Sequence, residues 1–421
     1  MALGVAAVRP RCDTVRVAGD FATRLELLEG HRVDYPVISL FSGAGGLDLA
    51  VHRCAEPPLV QDGTPSPLRV AIATDYCDTA LEAFNANFTG TPTLTGDIRE
   101  LDSTTLLREA GLSPGEATLL VGGPPCTPFS KSGFWIAEKR NSMDPDASLL
   151  DEYVRMVRDA QPAAFILENV QGLTYKTHRR QFDRLIAQLS DLGYNPRWQV
   201  LVAADYGVPQ LRRRVFVVGR RDGIPFHFPA PTHGGVSERQ DSSHPDRLPY
   251  VTARQAFAGL PDIPEPGELA EGEFAELLAE IPPGQNYLWH TDRLGGRDVF
   301  KWRTRYWTFL LRLHPDRPSS TIQAQPGPWV GPFHWENLPA SNGELCARRL
   351  RVPELLRLMT FPDDFAVVGD RMSAQRQIGN AVPLELGKAV VRSLLEQMGL
   401  LESLPIDPAE REGMAVGLLA G

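Results

Sequence analysis

Val37-Ile38-Ser39-Leu40-Phe41 runs directly into Ser42-Gly43-Ala44-Gly45-Gly46 and then into Leu47-Asp48-Leu49-Ala50-Val51. An apolar run, a glycine-rich turn and a second apolar run predict a strand, a tight loop and a helix. Glycine loops at such junctions suit nucleotide-like cofactors, because absent side chains let backbone N–H groups approach the ligand. The spacing Gly43-x-Gly45-Gly46 differs from the GxGxxG of dinucleotide binders, which disfavours a nicotinamide enzyme. The unit repeats outward from this stretch. Arg69 to Thr74 reads as a second strand with Asp75 at its end, and Thr93-Leu94-Thr95-Gly96 as a third that leads to Asp97. Thr118 to Val121 is a fourth, and Ala163 to Leu167, ending at Glu168, a fifth. Helices are expected over 79–88, 149–159 and 179–192, and Arg197 to Ala203 with Arg213 to Gly219 as a hairpin-like pair of strands. Strands alternating with helices predict an α/β fold, a doubly wound and mostly parallel sheet.

After Arg221 the alternation stops, and residues 222 to 345 are rich in Pro, Gly, His and Trp. A second, smaller and irregular domain is expected there. Helical periodicity returns after Arg348 (Val352, Leu355, Leu356, Leu358, Met359), and a last helix is expected from Pro383 to Met398. The organisation is therefore an extension over 1–34, a catalytic and cofactor domain over 35–221, the irregular domain over 222–345, a return over 346–401 and a tail over 402–421. The 421 residues have no apolar run long enough for a bilayer and no secretory leader pattern at the N-terminus. Five scattered cysteines, odd in number and without a CxxC pair, argue against a disulfide framework or a zinc site and for a reducing cytoplasm. A net charge of −9 argues against nucleic acid, but its distribution matters more than its total. Pro261 to Glu280 holds seven acids and no cation, whereas His290 to Arg317 holds seven cations against three acids, a local +4. Trp302, Tyr306 and Trp307 lie among those cations, as in surfaces that bind nucleic acid.

The chemistry centres on Gly122-Gly123-Pro124-Pro125-Cys126-Thr127-Pro128-Phe129-Ser130. A thiol behind two prolines has little backbone freedom, and it sits where a strand ends, the place where open α/β sheets put their reactive groups. An isolated cysteine is more often a small core residue, so its companions decide. Acids at the ends of neighbouring strands (Asp75, Asp97) suit a neutral-to-cationic nucleoside cofactor better than a phosphorylated one. Asp75 is placed for ribose hydroxyls and Tyr76 for stacking on an adenine.

Taken in order, Phe41 to Asp48, Gly123-Pro124-Pro125-Cys126, Glu168-Asn169-Val170, Gln210-Leu211-Arg212-Arg213-Arg214 and Gln377-Ile378-Gly379-Asn380-Ala381-Val382-Pro383 resemble the motif set of the cytosine-5 DNA methyltransferases, of the bacterial restriction-modification type. The resemblance covers about residues 36–221 and 346–400. It implies a Rossmann-like methyltransferase fold, with 222–345 as a target-recognition domain, and S-adenosylmethionine as cofactor with no metal. It implies that Cys126 supplies a thiolate to carbon 6 of cytosine, that Glu168 holds a proton at ring nitrogen 3, and that Arg214, with Arg212 alongside, meets the cytosine carbonyl. The cofactor residues it implies are Phe41, Ser42, Gly43, Ala44, Gly45, Gly46, Leu47, Asp75, Tyr76, Asp97, Ile98, Pro125, Leu149, Asn380, Ala381 and Val382. DNA contacts are expected from Ser130, Lys131, Ser132, Gln210, Arg297, Lys301, Arg303 and Arg305, with the base flipped out of its duplex. The partners implied are double-stranded DNA and a functionally paired restriction endonuclease, for a monomer working at the nucleoid. Three positions depart from the common pattern: Asp75 stands for Glu, Thr127 for Gln and Ala381 for Ser. An RNA (tRNA) methyltransferase of the same superfamily and a catalytically silent DNA-binding homologue are the alternatives. The long recognition region weighs against the first, and the pairing of Cys126 with Glu168 against the second.

Overall fold

The computed structural model describes residues 35–58, 60–125, 149–235, 247–300, 306–341 and 343–402. Among them, the stretch quoted first forms strand β1 (Tyr35–Leu40) and helix α1 (Gly46–His52). The alternation then continues through β2 (Leu68–Asp75), α2 (Asp78–Asn87), β3 (Thr93–Thr95), α3 (Ser103–Ala110), β4 (Leu119–Gly122), α4 (Leu149–Ala160), β5 (Ala164–Val170) and α5 (Arg179–Asp191). Strands β6 (Arg197–Val202) and β7 (Arg213–Arg220) complete a seven-stranded sheet of order β3-β2-β1-β4-β5-β7-β6. Every neighbouring pair is parallel except those that involve β7, which runs antiparallel between β5 and β6. The sheet is thus doubly wound and mostly parallel, as expected from the alternation.

Apolar residues on both faces of a strand let one sheet seed two cores. Along β5, Ala164 and Ile166 enter one core while Phe165 and Leu167 enter the other. The first core also takes α1, α2 and the C-terminal helix α10 (Leu384–Gln397), and the second takes α3, α4 and α5. Two further helices, α8 (Val352–Arg357) and α9 (Arg371–Asn380), precede α10. They bring the chain back to the glycine loop.

Between β7 and α8 lies a smaller third core, of Ala270, Leu278, Tyr287, Phe300, Phe309, Phe333 and Ala347 among others. Its regular parts are the short helices α6 (Ala253–Phe257) and α7 (Ala275–Glu280) and an antiparallel pair, β8 (Phe333–Pro339) with β9 (Leu345–Arg349). Strand β9 crosses the expected boundary at 345/346, and its Ala347 belongs to the small core.

Candidate active site

The glycine loop is held from below. Phe41 leaves β1 in a left-handed conformation (φ 54°), uncommon for a bulky residue and of the kind that gathers at functional sites. Ser42 N–H then donates to the Thr74 carbonyl (2.9 Å), and Thr74 N–H donates back to Ser42 Oγ (3.2 Å). Gly43, at φ 57°, donates to Asp75 Oδ2 (2.8 Å), while Cys77 N–H donates to Asp75 Oδ1 (2.9 Å). Asp75 therefore fixes the loop to the end of β2, and burial pushes its carboxyl above the usual range. A Cβ on Gly43 would meet nothing within 4 Å, whereas one on Gly45 would lie 2.1 Å from Phe88 Cε2. Gly43 thus lies beside open space and Gly45 on packed core, with buried Ala44 and Leu47 beneath.

The C-terminal motif closes the same loop. A Cβ on Gly46 would lie 2.8 Å from Ala381 Cβ and 3.1 Å from the Val382 carbonyl oxygen. Residues more than 330 positions apart in sequence are in contact here, with Asn380 exposed beside them. Tyr76 stands 72% exposed after Asp75, as a stacking surface must. Asp97 is bound by its own neighbour, Arg99, whose Nε lies 2.9 and 3.0 Å from its two oxygens and lowers its pKa. Ile98 and Leu149 are buried in the second core, so neither offers much surface to a ligand.

The second half of the site is built on β4, β5 and β7. Glu168 sits on β5, and Arg214 Nε on β7 lies 2.8 Å from its Oε1. Its second oxygen, Oε2, faces Gly123, where a Cβ would be 3.2 Å away. Asn169, the next residue, donates from Nδ2 to the Pro124 carbonyl (3.0 Å), pinning the segment that leads into Pro125 and Cys126. Burial raises the Glu168 carboxyl, with the Arg214 and Arg212 cations opposing it. The result is an acid able to keep its proton to higher pH than an exposed glutamate.

Cys126 itself lies outside the described residues, as do Ser130, Lys131, Ser132, Lys301, Arg303 and Arg305. Two other expectations need correction. Arg212 is fully buried and donates to the carbonyls of Ile322 (3.3 Å), Gly379 (2.7 Å) and Ala381 (3.0 Å). It positions the C-terminal motif and does not reach toward a base. Gln210 is equally buried: its Nε2 donates to the Leu358 carbonyl (3.0 Å) and its Oε1 accepts from Ile322 N–H (3.0 Å). It is a tie between segments and not a DNA contact. The half-exposed Arg297 guanidinium pairs at the surface with the acids of α7, Glu280 at 2.6 Å and Glu276 at 3.2 Å.

The acidic stretch that composition left unexplained turns out to be a docking strip. Arg351 pairs with Glu268 (2.5 Å) and Asp262 (2.6 Å), and Val352 N–H donates to Glu265 Oε1 (2.8 Å). Asn169 was readable as an anchor only from its place after a strand-end acid. Asp48, buried within the loop helix, gave no signal beyond its membership of the glycine motif.

Residues 35–396 match the family model described as C-5 cytosine-specific DNA methylase. The chain is 68% identical over 370 residues to the Type II methyltransferase M.SacI of Streptomyces achromogenes, which covers 88% of this chain and 95% of that protein. It is 32% identical over 371 residues to the Type II methyltransferase M1.HphI of Haemophilus parahaemolyticus, covering 85% of this chain and 86% of the relative. Among solved structures, the S. pombe Dnmt2 methyltransferase superposes with a TM-score of 0.56 at 17% identity, over 86% of this chain and 99% of that one. The Entamoeba histolytica methyltransferase EhMeth gives 0.57 at 15%, over 87% and 99%. At these identities the two structures speak for the fold alone.

Proposed function

The chain belongs to the C-5 cytosine-specific DNA methylase family, and from that premise we propose that its methyl donor is S-adenosylmethionine and that Cys126, Glu168 and Arg214 work its target base. The transfer of a methyl group to carbon 5 of cytosine in DNA is the family's reaction. The residues around the glycine loop fit this donor: open space beside Gly43, a carboxylate at the end of β2, an exposed Tyr76 and the Asn380-Ala381-Val382 turn against Gly46. When bound, the sulfonium supplies a methyl group already activated for transfer.

Carbon 5 of cytosine is a poor nucleophile until a thiolate adds to carbon 6. Cys126 is the proposed thiolate. Glu168 holds the proton at ring nitrogen 3 as the ring takes up the electron pair, and Arg214 faces the carbonyl oxygen while keeping Glu168 oriented. Carbon 5 then takes the methyl group and gives its proton to a water molecule, and the electron pair of that C–H bond restores the C5–C6 double bond as the C6–S bond breaks and the Cys126 thiolate leaves. The single observation that carries this reading is the buried Glu168–Arg214 pair beside Gly123, with Asn169 pinning Pro124 next to it.

The target base must leave its duplex to meet such a site. The third core is the proposed recognition region, and the identity to the Streptomyces achromogenes relative is too extensive to omit it. That supports the same target sequence for both proteins. A restriction endonuclease paired with this chain, a monomeric state and a cytoplasmic, nucleoid-associated location belong to the same proposal. No helix among the described residues is long and apolar enough to cross a membrane.

Base-resolution mapping of 5-methylcytosine in a methylation-free host tests the reading, with Cys126→Ala as the blank. Methylation confined to one short motif and absent from the variant is expected. Methylation that survives in Cys126→Ala would overturn the mechanism.

A further inference from the structure

Asp48 lies in the first turn of α1, three residues beyond Gly45, and is fully buried, with the Ser39 hydroxyl as its one side-chain donor and no cation paired with it among the described residues. A buried carboxylate without a cation is costly, and proteins keep few of them without a use. Its polar surroundings are Ser39 on β1 and Asp75 on β2. Both are already committed to the glycine loop: Ser39 Oγ bonds Ser42 Oγ (2.9 Å), and Asp75 holds Gly43 and Cys77.

The nearby cations are committed elsewhere. On α10, which packs against α1, Lys388 donates to the carbonyls of Pro57 and Val60 and pairs with Glu385 (3.1 Å) and Glu56 (3.7 Å). Arg392 on the same helix binds Glu396 (2.9 Å) and the carbonyls of Cys54 and Ala55. Arg53, capping α1, faces Glu56 and Gln61. His52 is stacked on Phe88 and held neutral by burial, its value pushed down to about 4. Among the described residues, the one charged side chain that acts on Asp48 is Asp75, a second acid.

We propose that Asp48 is a positioning residue that reads the charge of the cofactor from beneath the glycine loop, ionised under the sulfonium donor and protonated under the neutral thioether product. The proposal rests on the cofactor cradle described above. The physical reasoning is one of linkage. Burial raises Asp48 to about 7, with Asp75 adding to the rise and the Ser39 hydroxyl opposing it. A cation entering the cradle favours the ionised form and expels the proton, while methyl transfer removes that positive charge and lets a proton return from solvent. Donor and product share the nucleoside and amino-acid ends and differ at the sulfur. Asp48 therefore weakens the product relative to the donor above neutral pH.

Calorimetric titration of the full chain with S-adenosylmethionine and S-adenosylhomocysteine, from pH 6 to 8.5 in phosphate and in Tris, tests this. The ratio of donor to product affinity is expected to rise about tenfold between pH 6 and 8, the equivalent of one pKa unit. Near pH 7 the donor should release protons, seen as a buffer-dependent enthalpy, and the product should not. In Asp48→Asn the ratio should be flat with pH. A flat ratio in the native protein needs no variant and overturns the inference, as does an Asp48→Asn protein that keeps the native slope. Native binding of both ligands with either result leaves the cradle intact, whereas failure of the native protein to bind either ligand overturns the cradle and the inference with it.

Discussion

Alanine at Gly43 and alanine at Gly45 should fail in opposite ways, although the two positions are two residues apart. Both glycines have positive φ, 57° and 93°, so each alanine carries about 1–2 kcal/mol of backbone strain. At Gly43 that is the whole cost to the folded chain, since a Cβ there touches nothing within 4 Å. At Gly45 the new Cβ lands 2.1 Å from Phe88 Cε2 and 3.1 Å from Phe84 Cδ2, in rings that are themselves packed 4.5 Å apart and buried. Overpacking of that kind adds about 1–3 kcal/mol, for a total of about 2–5 kcal/mol. Denaturant unfolding of the two variants should separate them accordingly. Donor binding should reverse their order. The space beside Gly43 is where the proposed cradle admits its ligand, so Gly43→Ala should weaken S-adenosylmethionine about tenfold or more while losing only the backbone strain of about 1–2 kcal/mol in unfolding. Native affinity in Gly43→Ala would refute the placement of the cradle, and equal stability of the two variants would refute the packing at Phe88.

Glu168→Gln should lower kcat by about a hundredfold or more while leaving donor affinity near native. Because burial raises the Glu168 carboxyl, activity that needs its proton falls as pH rises through its folded value, and that alkaline limb should vanish in the variant. Asp48 has a folded value of about 7 against 3.8 for an unperturbed aspartate, so the folded state binds the extra proton. Its burial therefore costs nothing below the lower value and up to about 4 kcal/mol above the upper one, so Asp48→Asn should gain stability on the native protein as unfolding is measured from pH 5 to 8. Arg351→Met strands a buried Glu268 and should cost about 3–5 kcal/mol, most of it recovered in the double variant with Glu268→Leu, while the KM for DNA rises more than that for the donor.

The sheet was legible because its strands are written as short apolar runs closed by glycine or an acid. The helix expected over 79–88 forms at Asp78–Asn87, and the one over 179–192 at Arg179–Asp191. Helix α3 leaves only a faint trace in the sequence: its apolar face is short (Leu106, Leu107, Ala110), and the Asp102 cap and the left-handed Gly111 are its readable signals. Helix α9 was hidden by its polar exterior, with Ala374, Gln377, Ile378 and Gly379 as its buried face. The arginine run shows why motif membership alone misassigns roles. Residue types were plain, but side-chain direction reverses at each step of an extended chain. Arg212 points into the interior, Arg213 outward and Arg214 toward Glu168.

The same geometry explains why the two stretches of resemblance are separated by an irregular region and still make one site. The return segment joins both halves of the molecule. Its Arg351 and Val352 hold the acidic strip of the proposed recognition region, and Arg371 Nε lies 3.8 Å from Glu265 in that strip. A few residues on, Gly379 and Ala381 accept from Arg212, and Ala381 and Val382 rest on Gly46. Arg212 reaches Ile322 with the same guanidinium, so the end of the proposed recognition region and the floor of the proposed cradle share one buried cation. Ion pairs buried in this way contribute little net stability, and their better-attested use is to select one arrangement of segments. The negative composition that seemed to argue against DNA is spent in part on this fastening. The seven acids between Pro261 and Glu280 include Asp262 and Glu268, each paired with an arginine of the return segment. Net charge counted along the sequence was therefore a poor guide to the partner, and the order of the motifs was a good one.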